Sequence, residues 1–356
     1  MSDTLYSAGV DPDDMRGAVR AFPDHLEEGW RRGAAVESFG LEAASLDGVV
    51  LCGMGGSAIG GDLVAGLVEP TASLPFVVNR GYTLPGWVGE QTLVVASSYS
   101  GGTEETLSAF EEARQRGARI LAVTSGGALG EHADADGLDL VEIPGGLQPR
   151  AALGYSLGVG LRIARALGLA ELPDAEVEAA LAAARDRAAR HDQDAEGSPE
   201  AGTANPARDL SARFEGALPV VYTGVGLLEA VGMRWRTQLH ENAKHPAVGN
   251  VLPELDHNEI MGFEEGPEGV LSRMQIIALR DADDHAQVSK RFDATRDLVE
   301  GSVGGWTEVR SEGDSRLDRM LSLVQLGDAA SFWLAVRKGV DPTPVETIQA
   351  LKKTLA

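Results

Sequence analysis

Residues Gln238 to Phe263, QLHENAKHPAVGNVLPELDHNEIMGF, gather Glu241, Lys244, His257 and Glu259 in one stretch otherwise rich in apolar side chains. A carboxylate and an imidazole 16 residues apart, joined by a loop punctuated with Pro and Gly, are what moving protons on a small polar substrate requires. Charges at an ordinary helix end also pair with one another, and this stretch alone does not separate the two readings. Zinc hydrolysis is excluded. Two helical histidines share a face when four apart, about 40° offset, whereas His240 and His245 are five apart, roughly 140° around the axis.

A second kind of chemistry is signalled earlier. Gly53-Met54-Gly55-Gly56-Ser57-Ala58 sits at a strand-to-helix junction, where free backbone N–H groups and the positive end of a helix dipole favour an anion. Gly55 and Gly56 let that backbone approach a ligand closely. Gly53, Gly55 and Ala58 also fit the dinucleotide fingerprint. Against a nicotinamide or flavin enzyme, the second strand ends Val78-Asn79-Arg80 where an acidic ribose ligand is expected, although Arg80 suits a phosphorylated ribose. A dinucleotide also gives no reason for a second loop, Ser98-Tyr99-Ser100-Gly101-Gly102-Thr103, at the end of another strand. Hydroxyls that open a helix cradle a phosphate monoester; the plainer reading is that Ser100 or Thr103 merely caps its helix. Two anion-type loops on one sheet edge favour the phosphate.

These loops need a sheet to hold them. DGVVLCGMGGSAIGGDLVAGLV, LPFVVNRGY, QTLVVASSYS, ARILAVTSGG and LDLVEIPGG alternate strands with glycine turns and helices, which describes a doubly wound parallel sheet over about residues 40–150. Met15, Val19, Phe22, Leu26 and Trp30 form an amphipathic helix over residues 13–32 that packs onto a later domain, with Pro23 kinking or dividing it. An apolar helix follows Pro149-Arg150, then an Ala-rich one, then AEGSPEAGTANP, whose composition marks a connection. From LPVVYTGVGLLEAVGMRWRTQLHENA the pattern restarts, so the second half reads as a divergent copy of the first, with TGVGLL lacking the serines of its counterpart. DPTPVETIQALKKTLA closes the chain as a helix opening at Pro344 after Thr343.

Composition narrows the classes. With 356 residues, 43% hydrophobic, the chain suits two medium domains of a globular protein. No run approaches 18 apolar residues and the N-terminus lacks a signal-peptide core, so a cytoplasmic location is expected. A net charge of −23 argues against nucleic acid or an acidic membrane as partner. The lone Cys52, within VVLCGMG, reads as a core residue and builds no disulfide. His25, His132, His191 and His285 lie in charged, surface-like surroundings, and most of them are expected to be solvated.

GMGGS at Gly53–Ser57, SYSGGT at Ser98–Thr103, Pro149-Arg150 before a helix, HENAKHP followed by PELDHNEIMGF, and GVDPTPVETIQALKK together resemble the bifunctional phosphoglucose/phosphomannose isomerases over nearly the whole chain. That family is built from two sugar-isomerase (SIS) domains. The resemblance implies an α/β protein with two doubly wound parallel-sheet domains in tandem and a C-terminal helix. It divides the chain into an N-terminal helical segment (1–38), a phosphate-binding SIS domain (39–170), a helical linker (171–206), a second SIS domain (207–340) with the catalytic Glu and His, and a terminal helix (341–356). It places Ser57, Ser98, Ser100 and Thr103 on the substrate phosphate, although the family loop usually carries Asn where this chain has Gly102. By the same resemblance Glu241 is the base that moves a proton between C1 and C2, and His257, delivered from the neighbouring subunit, helps open the ring. Arg150 stabilises the enediolate, and Lys352, with Lys353 as the competing register, completes the site. Thr343 matches the threonine that leaves room for either C2 epimer. The expected substrate is a hexose 6-phosphate and the expected assembly a homodimer with shared active sites.

The chemistry agrees with the residues. One carboxylate can abstract and return the proton through a cis-enediol, a guanidinium can stabilise developing charge, and neither metal nor redox cofactor is needed. The alternatives are a non-catalytic SIS-domain sugar-phosphate sensor, which has no use for Glu241, His257 and a terminal lysine together, and a nucleotide-dependent oxidoreductase.

Overall fold

The structure, a computed structural model, describes residues 5–194 and 205–355. They group into two compact units: Ala21–Ala183 with Ser315–Leu317, and the chain up to Arg20, Ala184–Asp314 and from Asp318 onward. The expected N-terminal helix is divided rather than kinked, into α1 (Met15–Arg20) and α2 (Phe22–Gly33). Pro23 lies in the first turn of α2, where its missing N–H costs no hydrogen bond. The two pieces fall in different units.

The first unit runs β1 (Gly48–Cys52), α3 (Gly55–Val68), β2 (Phe76–Asn79), β3 (Thr92–Ser98), α4 (Glu104–Gln115), β4 (Arg119–Thr124), α5 (Gly127–Asp136), β5 (Asp139–Glu142), α6 (Leu153–Ala166) and α7 (Asp174–His191), the last crossing the division at Ala183. Its strands are parallel, in the order β2-β1-β3-β4-β5. Because strand side chains alternate, Val50, Cys52, Val94 and Ala96 turn one way, onto Phe110 of α4 and Leu129 of α5. Leu51 turns the other way onto α3, where a Cβ on Gly61 would come within 3.0 Å of it. Cys52 is a core residue as expected, and burial pushes its thiol up to about 12. Next to α3 lies α6, which in turn packs on α2. Glycines set the α2–α6 spacing: a Cβ on Gly158 would lie 2.4 Å from the Trp30 amide nitrogen and 2.6 Å from the Leu26 carbonyl.

The second unit adds α8 (Pro206–Phe214), β6 (Leu218–Gly224), α9 (Glu229–Glu241), β7 (Val248–Leu252), α10 (Glu268–Leu271), β8 (Met274–Arg280), α11 (Ala286–Val299), β9 (Gly305–Arg310), α12 (Arg316–Lys338) and α13 (Glu346–Leu355). Its parallel order, β7-β6-β8-β9, repeats β2-β1-β3-β4, with no counterpart of β5 among the described residues. The second half is thus a copy of the first in topology. The stretch expected to be a loop between Glu241 and His257 contains β7, an edge strand whose Gly and Asn weaken its pattern. The final helix begins at Glu346, two residues after Pro344. The connection expected over 195–206 lies, up to residue 204, outside the described residues; Asn205 then caps α8 through the amides of Ala207 and Arg208. Among the described residues no helix is long and apolar enough to cross a membrane.

His132 and His285 are exposed, but His25 and His191 are buried, contrary to expectation. Charged residues flank both in sequence, yet the two residues are 9% and 4% exposed. Burial, reinforced by Arg190 and Arg187, holds the His191 imidazole down to about 3, so it is neutral in the fold. Below about pH 6.5 the unfolded chain takes up a proton that the folded chain refuses until about pH 3, so stability falls as pH drops through this window. We expect His191→Gln to flatten the acid limb of a stability-against-pH curve by up to about 1.4 kcal/mol per pH unit between those limits, read from denaturant melts.

Candidate active site

In the first unit both glycine loops leave the C-terminal ends of adjacent strands, β1 and β3, where the strand order reverses. Ligands of open α/β sheets bind at this switch point, because consecutive helices leave to opposite faces and part the loops between them. A Cβ on Gly53 would lie 2.9 Å from the Ser97 carbonyl, and one on Gly56 2.7 Å from the Pro149 carbonyl. The bare backbone of the first loop therefore packs against the short 3-10 turn Pro149–Ala152, bringing in Arg150, which is 4% exposed. Ser57 is buried in the first turn of α3, which opens at Gly55 with φ +50°.

Thr103 occupies the N-cap position of α4, yet its side chain caps nothing there. Its hydroxyl instead shares a 2.8 Å hydrogen bond with that of Ser98, and the Ser100 hydroxyl accepts from the Gly102 amide at 3.4 Å. No side chain among the described residues caps α3 or α4, so the plainer capping role is not what the hydroxyls perform. Backbone amides at both helix starts are left for a ligand, and an anion is what those amides and the helix dipoles favour. Gly101, at φ +67°, has no alternative: a Cβ would sit 1.8 Å from the Gly126 carbonyl. Around that contact the Leu129 amide donates to the Gly101 carbonyl at 2.9 Å and the Ser125 hydroxyl to the Tyr99 carbonyl at 2.7 Å. The TSGG run at the end of β4 is thus a buttress for the hydroxyl loop. Gly102 differs. It lies outside the left-handed region, and a Cβ there meets nothing within 4 Å.

In the second unit α9 is fixed on α12 by buried polar contacts. The Arg234 guanidinium forks onto the Asp328 carboxylate at 2.8 and 2.6 Å, the Gln238 amide donates to Asp328 at 3.0 Å, and the Asn242 amide donates to the Ser331 hydroxyl at 3.0 Å. Burial pushes the Asp328 carboxyl up, and the Arg234 charge opposes it. Glu241, the last residue of α9, is half-buried. It borders a cleft of about 360 Å³ with His240 and Lys244 on one side and Pro344, Val345, Thr347 and Ile348 on the other. Thr343, buried, precedes that second wall, and its amide donates to Asp341 at 2.9 Å.

The other expected residues lie elsewhere. Lys352 and Lys353 are exposed on α13 and do not line the cleft. His257 is exposed at the end of a 3-10 turn, Glu254–His257, and is likewise absent from the cleft wall. Glu259 accepts hydrogen bonds from the Tyr222 hydroxyl at 2.5 Å and the Asn250 amide at 2.6 Å, so it moors the His257 segment to β6 and β7. Of the four ionisable groups in that stretch, two face the cleft, one is structural and one is presented to solvent. Because α9 ends at Glu241, His245 is not on the helix at all. Its ring engages the Ala217 carbonyl at 2.8 Å and His240 engages Ala247 at 3.0 Å.

Two competing sites are weakened by pairing. Arg80, the candidate for a phosphorylated ribose, forms an ion pair with Asp62. A wider cleft of about 540 Å³ beside β9 holds Arg190, Arg213 and Arg310, but Arg190 pairs with Glu312 at 2.7 Å and Arg310 with Glu308.

Two tandem parallel sheets with glycine loops at a switch point define the SIS-domain class, and family models agree: an SIS domain matches residues 46–136, and the bacterial phospho-glucose isomerase C-terminal SIS domain matches residues 203–355. Among solved structures, a hypothetical protein from Thermus thermophilus superposes with TM-score 0.70 at 18% identity, covering 97% of this chain and 92% of its own. A tagatose-6-phosphate ketose/aldose isomerase from Escherichia coli superposes with TM-score 0.62 at 13% identity, covering 92% and 93%. These share the fold. The bifunctional phosphoglucose/phosphomannose isomerase of Caldicellulosiruptor bescii is 43% identical over 96% of this chain and 99% of its own, and that of Aquifex aeolicus 36% over 90% and 93%. The chain belongs to the bifunctional phosphoglucose/phosphomannose isomerase family.

The two adjacent glycines should respond in opposite ways. We expect Gly101→Ala to cost about 1–3 kcal/mol or more through strain and backbone collision, and to abolish protection by inorganic phosphate in thermal melts. Gly102→Asn should leave the melting temperature within about 1 °C and keep or strengthen that protection.

Proposed function

We propose that this chain interconverts glucose 6-phosphate, and mannose 6-phosphate as well, with fructose 6-phosphate through a cis-enediol. The amides of Gly55 and Gly56 and the hydroxyls of Ser57, Ser98, Ser100 and Thr103 hold the phosphate. Glu241 takes the proton from C2 of the open aldose and returns it to C1, which requires one base on one face and no hydride acceptor. Arg150 stabilises the charge that grows on oxygen as the enediolate forms, and its burial makes that charge effective. His257 serves ring opening, Lys352 completes the polar contacts to the sugar, and Thr343 stands by C2 where the epimers differ.

The observation that carries the reading is Glu241 itself. Arg234, Gln238 and Asn242 hold α9 and its cap on α12, and this carboxylate, one residue short of the helix cap, is thereby fixed at the border of the cleft. At about 360 Å³ that cleft falls within the range of small-molecule sites, about 300–1,000 Å³. A sensor would need the phosphate loops but not this arrangement. Relatives that match nearly the full chain, and carry the isomerase name, support the catalytic reading.

The working unit is a cytoplasmic homodimer with shared sites. In support, α13 exposes Ile348, Leu351 and Leu355 at helical spacing and buries none of its residues, the pattern of a helix awaiting a partner. The exposed His257 suits delivery to a neighbouring copy.

In a coupled assay from fructose 6-phosphate, with the glucose and mannose products followed separately, Glu241→Gln should lower kcat by about 10²–10⁴-fold while KM stays near the wild-type value. Turnover retained in this variant removes Glu241 as the base.

A further inference from the structure

Lys244 is one of two non-glycine residues with positive φ among the described residues, at +47°. A side chain in the left-handed region is strained, and glycine is the usual residue for this turn at a helix end. Such strain persists when something else over-determines it. Here the turn lets the His245 amide reach back to the Leu239 carbonyl at 3.1 Å, and it directs the Lys244 ammonium to three carbonyl oxygens. Those are Glu241 at 2.8 Å, Asn242 at 3.5 Å and Pro342 at 2.8 Å.

Capping accounts for the contacts to Glu241 and Asn242, the end carbonyls of α9, but not for the third. A second ammonium, Lys338 of α12, donates to the Ala243 carbonyl at 2.8 Å and the Lys244 carbonyl at 3.1 Å, holding the turn beyond the helix. What Lys244 adds is the bond to Pro342, directly before Thr343. One cation thereby grips the carbonyl of Glu241 on one wall of the cleft and, at Pro342, the strap that leads two residues later into the other.

We propose that Lys244 is a positioning residue, an ammonium clamp that sets the separation between the Glu241 carboxylate and the Thr343–Val345 strap across the cleft. The assignment rests on Glu241 being the base. The clamp acts through backbone carbonyls and does not touch substrate. Releasing it widens the cleft, so the base meets C1 and C2 less often in line and the discrimination at C2 loosens.

Strain and clamp can be separated in the full-length enzyme. Lys244→Gly keeps the left-handed turn without its cost, and Lys244→Asn tolerates the same turn; both remove the cation. We expect both to melt at or above the wild-type temperature, to lose about 10–100-fold in kcat with KM changed less than threefold, and to shift the ratio of glucose to mannose product. Lys244→Arg should recover at least a third of kcat, and added methylammonium should partly rescue Lys244→Gly. A wild-type kcat in both cation-free variants overturns the clamp, as does a kcat loss that appears only with a matching drop in melting temperature. If Glu241→Gln remains active the base assignment fails instead, whatever the Lys244 variants do. An inactive Glu241→Gln beside fully active Lys244→Gly leaves the base standing and removes only the clamp.

Discussion

A parallel sheet that reverses its strand order cannot cover its own C-terminal edge. Between β1 and β3 the following helices depart to opposite faces, so both loops stand apart with the first amides of α3 and α4 turned outward. Everything asked of the first unit follows from keeping that edge bare. Gly53 and Gly56 admit neighbouring backbone where a methyl group would collide, Gly101 admits the Gly126 carbonyl, and the hydroxyls of Ser98 and Thr103 satisfy each other. Arg150 arrives beside the loop because the turn that carries it packs on a glycine.

A molecule with net charge −23 is a poor attractor of phosphate esters at long range. Screening confines that field to about 8 Å at physiological salt, so the potential at the loops is set by the nearest dipoles and charges. Two uncapped helix starts and one buried guanidinium supply positive potential without adding surface charge. In the second unit the opposite economy applies. The Arg234–Asp328 pair, with Gln238, spends its charges internally to hold α9 against α12, and Glu241 follows at the last step of the helix so held.

Much of this was legible in the chain. Strand, glycine turn and helix recur with the right periods in both halves, and those short-range signals are strong where strands are buried throughout, as β1 and β3 are. The loops that bear hydroxyls and the carboxylate at the end of α9 were readable from residue type alone. Features set by tertiary contact were not. An edge strand containing Gly249 and Asn250 reads as loop, because its partner β6 and not its own propensity makes it a strand. His25 and His191 read as surface residues because charges flank them, yet their rings turn inward. The assignment of α1 and α2 to separate units leaves no trace beyond Pro23. Lys244 was visible as a charge, but its grip on two walls depends on a backbone angle that no spacing rule reports.

The ten residues of α13 bury nothing, and an isolated helix of that length is marginal in water. Its order is then lent to it by whatever covers Ile348 and Leu351. If that cover is a second copy of the chain, the helix and the lysine it carries become functions of protein concentration, and specific activity falls on dilution even though each folded unit keeps its core.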